Sequence, residues 1–299
     1  MKYNKRAIVT GAAGFAGVNL TECLVHQGYY VFAICRPGSQ HNERLIKYSG
    51  QNLKVIELDI SEINQLPDMV PEANGADLLF HMAWTGGRDN FFEQKKNIDQ
   101  SIAVLNAAAR LNVARFVGTG SQAEYGVKTD VIREDDFPAP FSSYGTAKLS
   151  ACYLTKNLAS QLGIEWVWGR IFSLIGKYEP SGRMLPDLIK RLKNGEKATL
   201  SSCQQYWDYL DAADCGTAFL AIGERGRNGE IYNVANGNYR RLKEFTSEIC
   251  RIYHIDEANI HYGSDPVPFV SLQPSVRKIM KDTGWKPEVL FKQSVLENY

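Results

Sequence analysis

Gly11-Ala12-Ala13-Gly14-Phe15-Ala16-Gly17 follows the apolar run Ala7-Ile8-Val9-Thr10 and opens a helical stretch over residues 18–27. The order is strand, glycine turn, helix. Glycine allows a sharp turn and a close backbone approach, and the start of the following helix offers unpaired N–H groups and a positive dipole end to an anion. The stretch therefore predicts a dinucleotide whose pyrophosphate rests on Gly11, Gly14, Phe15, Ala16 and Gly17. Its spacing is Gly-x-x-Gly-x-x-Gly, not the commoner Gly-x-Gly-x-x-Gly.

Working outward, residues 29–35, 53–58, 77–82, 115–119 and 165–171 are short, apolar and β-rich, and read as strands two to six. Helical candidates alternate with them. Over residues 91–111, Ile98, Ile102, Leu105, Ala108 and Ala109 recur at helical spacing, and residues 145–162 give the next helix. This alternation predicts an α/β fold with a doubly wound parallel sheet covered on both faces. Past Ile171 the pattern weakens, with Gly176, Pro180, Gly182 and Pro186 punctuating the approach to a helix over residues 185–193. A smaller C-terminal substrate-binding subdomain is expected there: residues 1–172 hold the dinucleotide and residues 173–299 mainly the substrate, with about 208–236 returning to the first unit. Ligands of such sheets bind outside the carboxyl ends of the strands.

Composition narrows the function. Lys and Arg total 34 against 33 Asp and Glu, so the chain offers no general attraction for nucleic acid or an anionic membrane, and phosphate binding must be local. No apolar run approaches the roughly 20 residues needed to span a bilayer. Cys23, Cys35, Cys152, Cys203, Cys215 and Cys250 form no Cys-x-x-Cys pair, and no signal-peptide pattern precedes the first strand. Reduced thiols, no metal centre and a cytoplasmic location are the expectation.

Tyr144 and Lys148 stand four apart, which brings both to one face of a helix. Tyr239 and Lys243 share that spacing, so the pair by itself is weak; what separates them is that Tyr144 opens the helix after strand five, with Ser121 just beyond that strand. A phenol with a pKa of about 10 is a poor acid or base near neutrality unless a cation stabilises its phenolate, and Lys148 is placed to supply one.

These residues, the glycine turn and the run Gly118-Thr119-Gly120-Ser121-Gln122-Ala123-Glu124-Tyr125-Gly126 resemble the extended short-chain dehydrogenase/reductase family, whose dinucleotide unit is a Rossmann fold. Arg170-Ile171-Phe172-Ser173, Trp207-Asp208-Tyr209 with Asp214, Tyr232-Asn233-Val234 and Thr283-Gly284-Trp285-Lys286-Pro287 extend the resemblance over nearly the whole chain, to the nucleotide-sugar epimerase, dehydratase and 4-ketoreductase branch. It implies that Ser121 holds the reacting carbonyl, Tyr144 exchanges a proton with it and Lys148 bonds the nicotinamide ribose. It further implies that Asp59 and Ile60 meet the adenine, that Met82, Ala83 and Trp84 line the cofactor after His81, and that helices 91–111 and 145–162 pair in a homodimer. Trp84 stands where a smaller residue is commoner. His81 reads as a core or hydrogen-bonding histidine and Tyr125 as a packing residue.

At the end of strand two Arg36, with Ser39 nearby, replaces the carboxylate that would bond an adenosine ribose, which favours NADP over NAD. Two arginines that grip the substrate diphosphate in relatives are here Trp207 and Tyr262, the latter just before the turn that holds Asp265, and Ser173 replaces a common Asn. Arg183, with Arg88 and Arg240 behind it, is then expected to hold the diphosphate, and Trp207 to stack on a base or fill the core. The Asp-Glu pair that eliminates water in the 4,6-dehydratases is Gln122-Ala123, an amide and a methyl that cannot do this chemistry. The expected activity is NADP-dependent reduction of a nucleoside-diphospho-4-keto-6-deoxyhexose at carbon 4, with a nucleotide-sugar 4-epimerase as the alternative. A non-catalytic dinucleotide sensor is the rival of another class, opposed by the retention of Ser121, Tyr144 and Lys148.

Overall fold

A computed structural model describes residues 5–48, 50, 52–264 and 270–299; Asp265 lies outside the described residues. The strands β1 (Arg6–Thr10), β2 (Tyr30–Cys35), β3 (Leu53–Glu57), β4 (Leu78–His81), β5 (Arg115–Ser121) and β6 (Glu165–Ile171) join the later strand Ile231–Val234 in one seven-stranded sheet. The order is β3-β2-β1-β4-β5-β6 followed by Ile231–Val234, and every pairing is parallel. Val9 thus lies between Ala33 and Phe80. The doubly wound parallel sheet is the one the alternating pattern predicts, and its order reverses between β1 and β4, where a crevice opens at the strand ends.

Alternate side chains of each strand enter different cores. Ala7 and Val9 of β1 join Val31 and Ala33 under the helices Phe15–His26 and Ala212–Arg225. Ile8, Phe32 and Ile34 point the other way, toward Val104, Leu105 and Ala108 of the helix Phe91–Arg110 and Ala151 of the helix Ser143–Leu162. Burial on both faces is why these strands read as continuous apolar runs. A third core gathers Leu185, Leu188 and Ile189 of the helix Met184–Lys193 with Leu242, Phe245 and Ile249 of the helix Leu242–Tyr253. The rings of Tyr209, Phe245 and Phe291 close it, with centroids 4.8 to 5.7 Å apart.

Two boundaries differ from the sequence reading in ways that matter to the site. The first helix begins at Phe15, not at residue 18, because Gly14 is extended (φ −69°, ψ 169°) and so ends the turn at once. The strand expected to stop at Thr119 continues to Ser121, whose partner on β6 is Ile171. Ser121 therefore sits at the carboxyl edge of the sheet.

Candidate active site

The glycine turn is built by close packing. Gly11 has φ +65°, and a Cβ there would lie 2.8 Å from Ala83 Cα, while a Cβ on Gly17 would lie 2.1 Å from Gly11 O. Glycine at both positions lets the helix dock against the turn and β4 run close beside it. No side chain caps the first turn of Phe15–His26, so its backbone donors are left for an anion. A cleft runs from Gly11 and Gly14 past Arg36 and Ser39 to Asp59, Ile60, Met82, Ala83 and Trp84. Glycines without Cβ atoms, an uncapped helix end and a cationic far end fit a nicotinamide dinucleotide.

Phe15, Ala16 and Gly17 do not line this cleft. Phe15 and Ala16 pack on the sheet core, and the Arg183 guanidinium lies 5.3 Å from the Phe15 ring centroid. At the other end, Ser39 Oγ accepts the His41 N–H at 3.3 Å, and the charges of Arg44 and Arg36, after the cost of desolvation, hold the His41 imidazole below its usual range. Asp59 accepts from the Ser61 hydroxyl at 2.6 Å and its N–H at 2.9 Å, which keeps the carboxyl low. His41, Asn42 and Thr85 also line the cleft. Nothing in their spacing marks them in the sequence, because loop geometry alone brings them there.

Ser121, Tyr144 and Lys148 come together at the carboxyl end of β5. Ser121 is buried; its Oγ accepts the Ala123 N–H at 3.2 Å, and its own N–H donates to Glu124 Oε1 at 2.9 Å. Ser142 caps the helix that carries Tyr144 and Lys148 by accepting the Gly145 N–H at 3.1 Å. Burial raises the Tyr144 phenol above its ordinary value, and the Ser121 side chain and the charges of Arg88 and Arg183 oppose that rise. The Arg88 guanidinium is 5.4 Å from the Tyr144 ring centroid. Lys148 is wholly enclosed: its Nζ donates to Thr119 O at 2.7 Å and sits 3.6 Å from the Trp84 ring centroid. A cation over an aromatic ring gains about 0.5–2 kcal/mol, while burying an ammonium costs several kcal/mol. Desolvation wins, and the ammonium is pushed down to about 7 despite Glu124.

The sequence reading has Lys148 drawing the Tyr144 phenol down. Arg88 and Arg183 also act to lower it. Trp84 shapes the surroundings of both Tyr144 and Lys148. Its ring stands edge-on to Tyr144 at 6.2 Å and beneath Lys148, and its Nε1 is fixed by Gln94 Oε1 at 2.9 Å. A smaller side chain at 84 would not cover the ammonium in this way.

His81, read as a core or hydrogen-bonding histidine, and Tyr125, read as a packing group, both have definite partners. His81 bonds Thr10 Oγ1 at 2.8 Å and Ser101 Oγ at 3.0 Å, and burial drives its imidazole down to about 3. Tyr125 donates to Asn233 Oδ1 at 2.6 Å. Glu124, fully buried, pairs with Arg170 at 2.7 Å and accepts from Trp168 Nε1 at 3.1 Å.

Beside Tyr144 a cavity of about 810 Å³ opens toward the third core. Arg88, Ser121, Gln122, Ser173, Arg183 and Trp207 all line it. Arg240 does not: it pairs with Glu248, with its guanidinium 4.0 Å from the Phe245 ring centroid. The strand pairing Arg240↔Trp207 brings Arg240 next to the cavity wall. Glu179 and Gln205 join the lining without any sequence signal. Burial raises the Glu179 carboxyl; it accepts from the Tyr299 hydroxyl and lies 3.8 Å from Arg183 Nη1. Among the described residues no cluster of His, Cys, Asp or Glu could hold a metal, and no helix is long and apolar enough to cross a membrane.

The model of a family described as "NAD dependent epimerase/dehydratase family" matches residues 7–235. The chain is 24% identical to human dTDP-D-glucose 4,6-dehydratase over 98% of this chain and 88% of that protein. It is 25% identical to GDP-6-deoxy-D-mannose reductase of Pseudomonas aeruginosa over 97% of this chain and 95% of that one. Among solved structures, dTDP-glucose 4,6-dehydratase from Bacillus anthracis in complex with NAD shares the fold with a TM-score of 0.86 at 20% identity, covering 98% of this chain and 95% of the other.

Proposed function

Because the chain belongs to the NAD dependent epimerase/dehydratase family, in the extended short-chain dehydrogenase/reductase branch, we propose that it is an NADP-dependent reductase. Its substrate is a nucleoside-diphospho-4-keto-6-deoxyhexose, reduced at carbon 4 in deoxysugar biosynthesis. The observation that carries this reading is the cavity wall beside Ser121 and Tyr144, where Gln122 stands in place of the eliminating acid and Ala123 is buried. Carbonyl reduction needs only an oxygen anchor and a proton donor beside the hydride source, whereas dehydration needs a further acid and base.

Ser121 Oγ holds the carbonyl oxygen, and the Tyr144 hydroxyl, on the same cavity wall, gives it a proton as charge develops. Tyr144 is protonated near neutrality, and the charges of Arg88 and Arg183 favour the phenolate that donation in the reductive direction leaves behind. The bound nicotinamide supplies the hydride. Lys148, over the Trp84 ring, bonds the nicotinamide ribose, and Arg36 gives the 2′-phosphate a cationic seat. Arg183 and Arg88 grip the diphosphate. Residues 1–172 form the dinucleotide side and residues 173–299 mainly the substrate side, with about 208–236 returning to the sheet. The protein acts in the cytoplasm as a homodimer.

Redox stoichiometry tests the reading. With the 4-keto sugar nucleotide generated in place by a dehydratase, about one NADPH is consumed per sugar converted, read as loss of nicotinamide absorbance. Interconversion of 4-hydroxy sugar nucleotides without net cofactor change, and no action on any 4-keto compound, would replace the reductase with a 4-epimerase. Binding of dinucleotide with no turnover of any sugar nucleotide would favour the sensor.

A further inference from the structure

At the carboxyl edge of the sheet β5 outruns β4: its pairing with β4 ends at His81↔Gly118, while its pairing with β6 continues to Ser121↔Ile171. The last backbone groups of β5 turn to side chains instead. Thr119 O accepts from Lys148 Nζ at 2.7 Å, and the Ser121 N–H donates to Glu124 Oε1 at 2.9 Å. The proposed mechanism already uses Lys148, but it gives Glu124 no part. Glu124 is fully buried and does not line the substrate cavity, yet it grips the backbone of the residue assigned to the carbonyl oxygen.

The Glu124 carboxylate is itself held from β6. Its Oε1 also accepts from Trp168 Nε1 at 3.1 Å, and its Oε2 accepts from Arg170 Nε at 2.7 Å. Trp168 and Arg170 pair with Gly118 and Gly120, and the missing side chains make the room: a Cβ on Gly120 would lie 2.3 Å from Glu124 Oε1. Arg170 is 1% exposed, its Nη1 finds no partner among the described residues, and its guanidinium carbon lies 4.3 Å from the Tyr125 ring centroid. Taking two charges out of water costs several kcal/mol per ion, and well-packed apolar residues of similar volume often serve stability as well or better. Stability is therefore a weak reason for an ion pair that is short of one hydrogen bond. What the pair does secure is a rigid acceptor directly behind Ser121.

We propose that Glu124 is a positioning residue: held by Arg170 and Trp168, its carboxylate anchors the Ser121 backbone N–H and so fixes the Ser121 hydroxyl beside Tyr144 for the reacting carbonyl oxygen. Glu124 touches neither substrate nor cofactor and acts only through Ser121. The grip is mutual, because Ser121 Oγ accepts the Ala123 N–H at 3.2 Å across the turn Gln122–Glu124. A displacement of about 1 Å at a reacting group costs on the order of 10² in rate, which sets the scale of the effect when Ser121 is released. This assignment rests on the reading of Ser121 as the carbonyl anchor.

Two paired substitutions separate the acceptor from the charge. Glu124→Gln with Arg170→Met removes both charges and keeps an oxygen for the Ser121 N–H, whereas Glu124→Leu with Arg170→Met removes the oxygen as well. Circular dichroism and NADPH titration check folding, and kcat and KM are measured with the 4-keto sugar nucleotide generated in place. The Leu pair is expected to lose about 10²-fold in kcat with KM little changed, and the Gln pair to recover all but a few-fold of that loss. Exchange of the Ser121 amide hydrogen, followed by NMR, quickens by about tenfold or more in the Leu pair alone. In a Ser121→Ala background the Leu pair costs nothing further. Should either pair fail to fold, Glu124→Asp keeps Arg170 neutralised and draws the carboxylate back from Ser121, lowering kcat about tenfold with the same faster exchange. Normal kcat or unchanged Ser121 exchange where the acceptor is removed, an equal loss in both pairs, or an equal loss from the Leu pair with and without Ser121 would each overturn the assignment alone. Unchanged turnover in Ser121→Ala by itself, or no turnover of any sugar nucleotide by the unchanged protein, strikes the reading of the site and takes this assignment with it.

Discussion

Tyr144 and Tyr239 show how little a four-residue spacing decides by itself. Tyr144 lies with Ser121 at the end of β5, whereas Tyr239 stands edge-on to Tyr206 at 5.7 Å on another part of the surface. Replacing Tyr144 with Phe keeps the ring and removes the proton donor, so turnover is expected to fall by about 10² or more while NADPH still binds. Tyr239→Phe is the control, and steady-state rates with cofactor titration compare them; near-normal turnover in the first variant removes Tyr144 from its role. Lys148 gives a prediction with a sign. Its ammonium is pushed down to about 7 in the folded protein, against about 10.4 in an unfolded chain. Between those values the unfolded chain holds a proton that the native protein has released, so this group makes stability rise with pH across that window. The burial penalty is complete below about pH 7 and fades toward pH 10. Urea melts of Lys148→Met should therefore show stability relative to the unchanged protein that is more favourable at pH 6 than at pH 9. A pH-independent difference would contradict the buried, half-titrated lysine.

The turn joining β1 to its helix is an element whose chemistry lies in what it lacks. Gly17→Ala drives a Cβ to 2.1 Å from a backbone oxygen, which no rotamer change relieves, so a loss of about 1–3 kcal/mol is expected in urea unfolding, together with weaker dinucleotide binding. Unchanged stability would mean that the helix and turn separate freely. At the far end of the cleft, Arg36→Ala removes a charge-assisted bond to a 2′-phosphate, worth roughly 1.5–3 kcal/mol. NADPH should weaken roughly ten- to hundredfold and NADH hardly at all, and equal losses by fluorescence titration would contradict the NADP preference. The glycine turn and the arginine were visible in the sequence because each rests on a local requirement. His41 and Arg44 were not, since only the path of the loop after β2 brings them near Arg36.

At the scale of the molecule, the helices Phe91–Arg110 and Ser143–Leu162 leave Phe92, Tyr153 and Leu154 80%, 46% and 47% exposed. An apolar stripe of this kind suits a helix-pair interface between two copies, and sedimentation at micromolar concentration is expected to give a dimer; a stable monomer would count against it. The sequence by itself determined the parallel sheet and its first crevice, since a strand buried on both faces needs a continuous apolar run and a crossover needs a helical repeat. It also marked Ser121, Tyr144 and Lys148 through one strand end and one helix face. Only the tertiary structure decided how those groups are tuned: desolvation under Trp84 turns Lys148 into a titrating group, and Arg88 and Arg183, from separate loops, act on Tyr144. It alone set Arg240 against Glu248, off the cavity lining. The physical reason is range. Periodicity and turn chemistry act over a few neighbouring residues, whereas burial, field and hydrogen-bond completeness depend on segments far apart in the chain that meet only when it is folded.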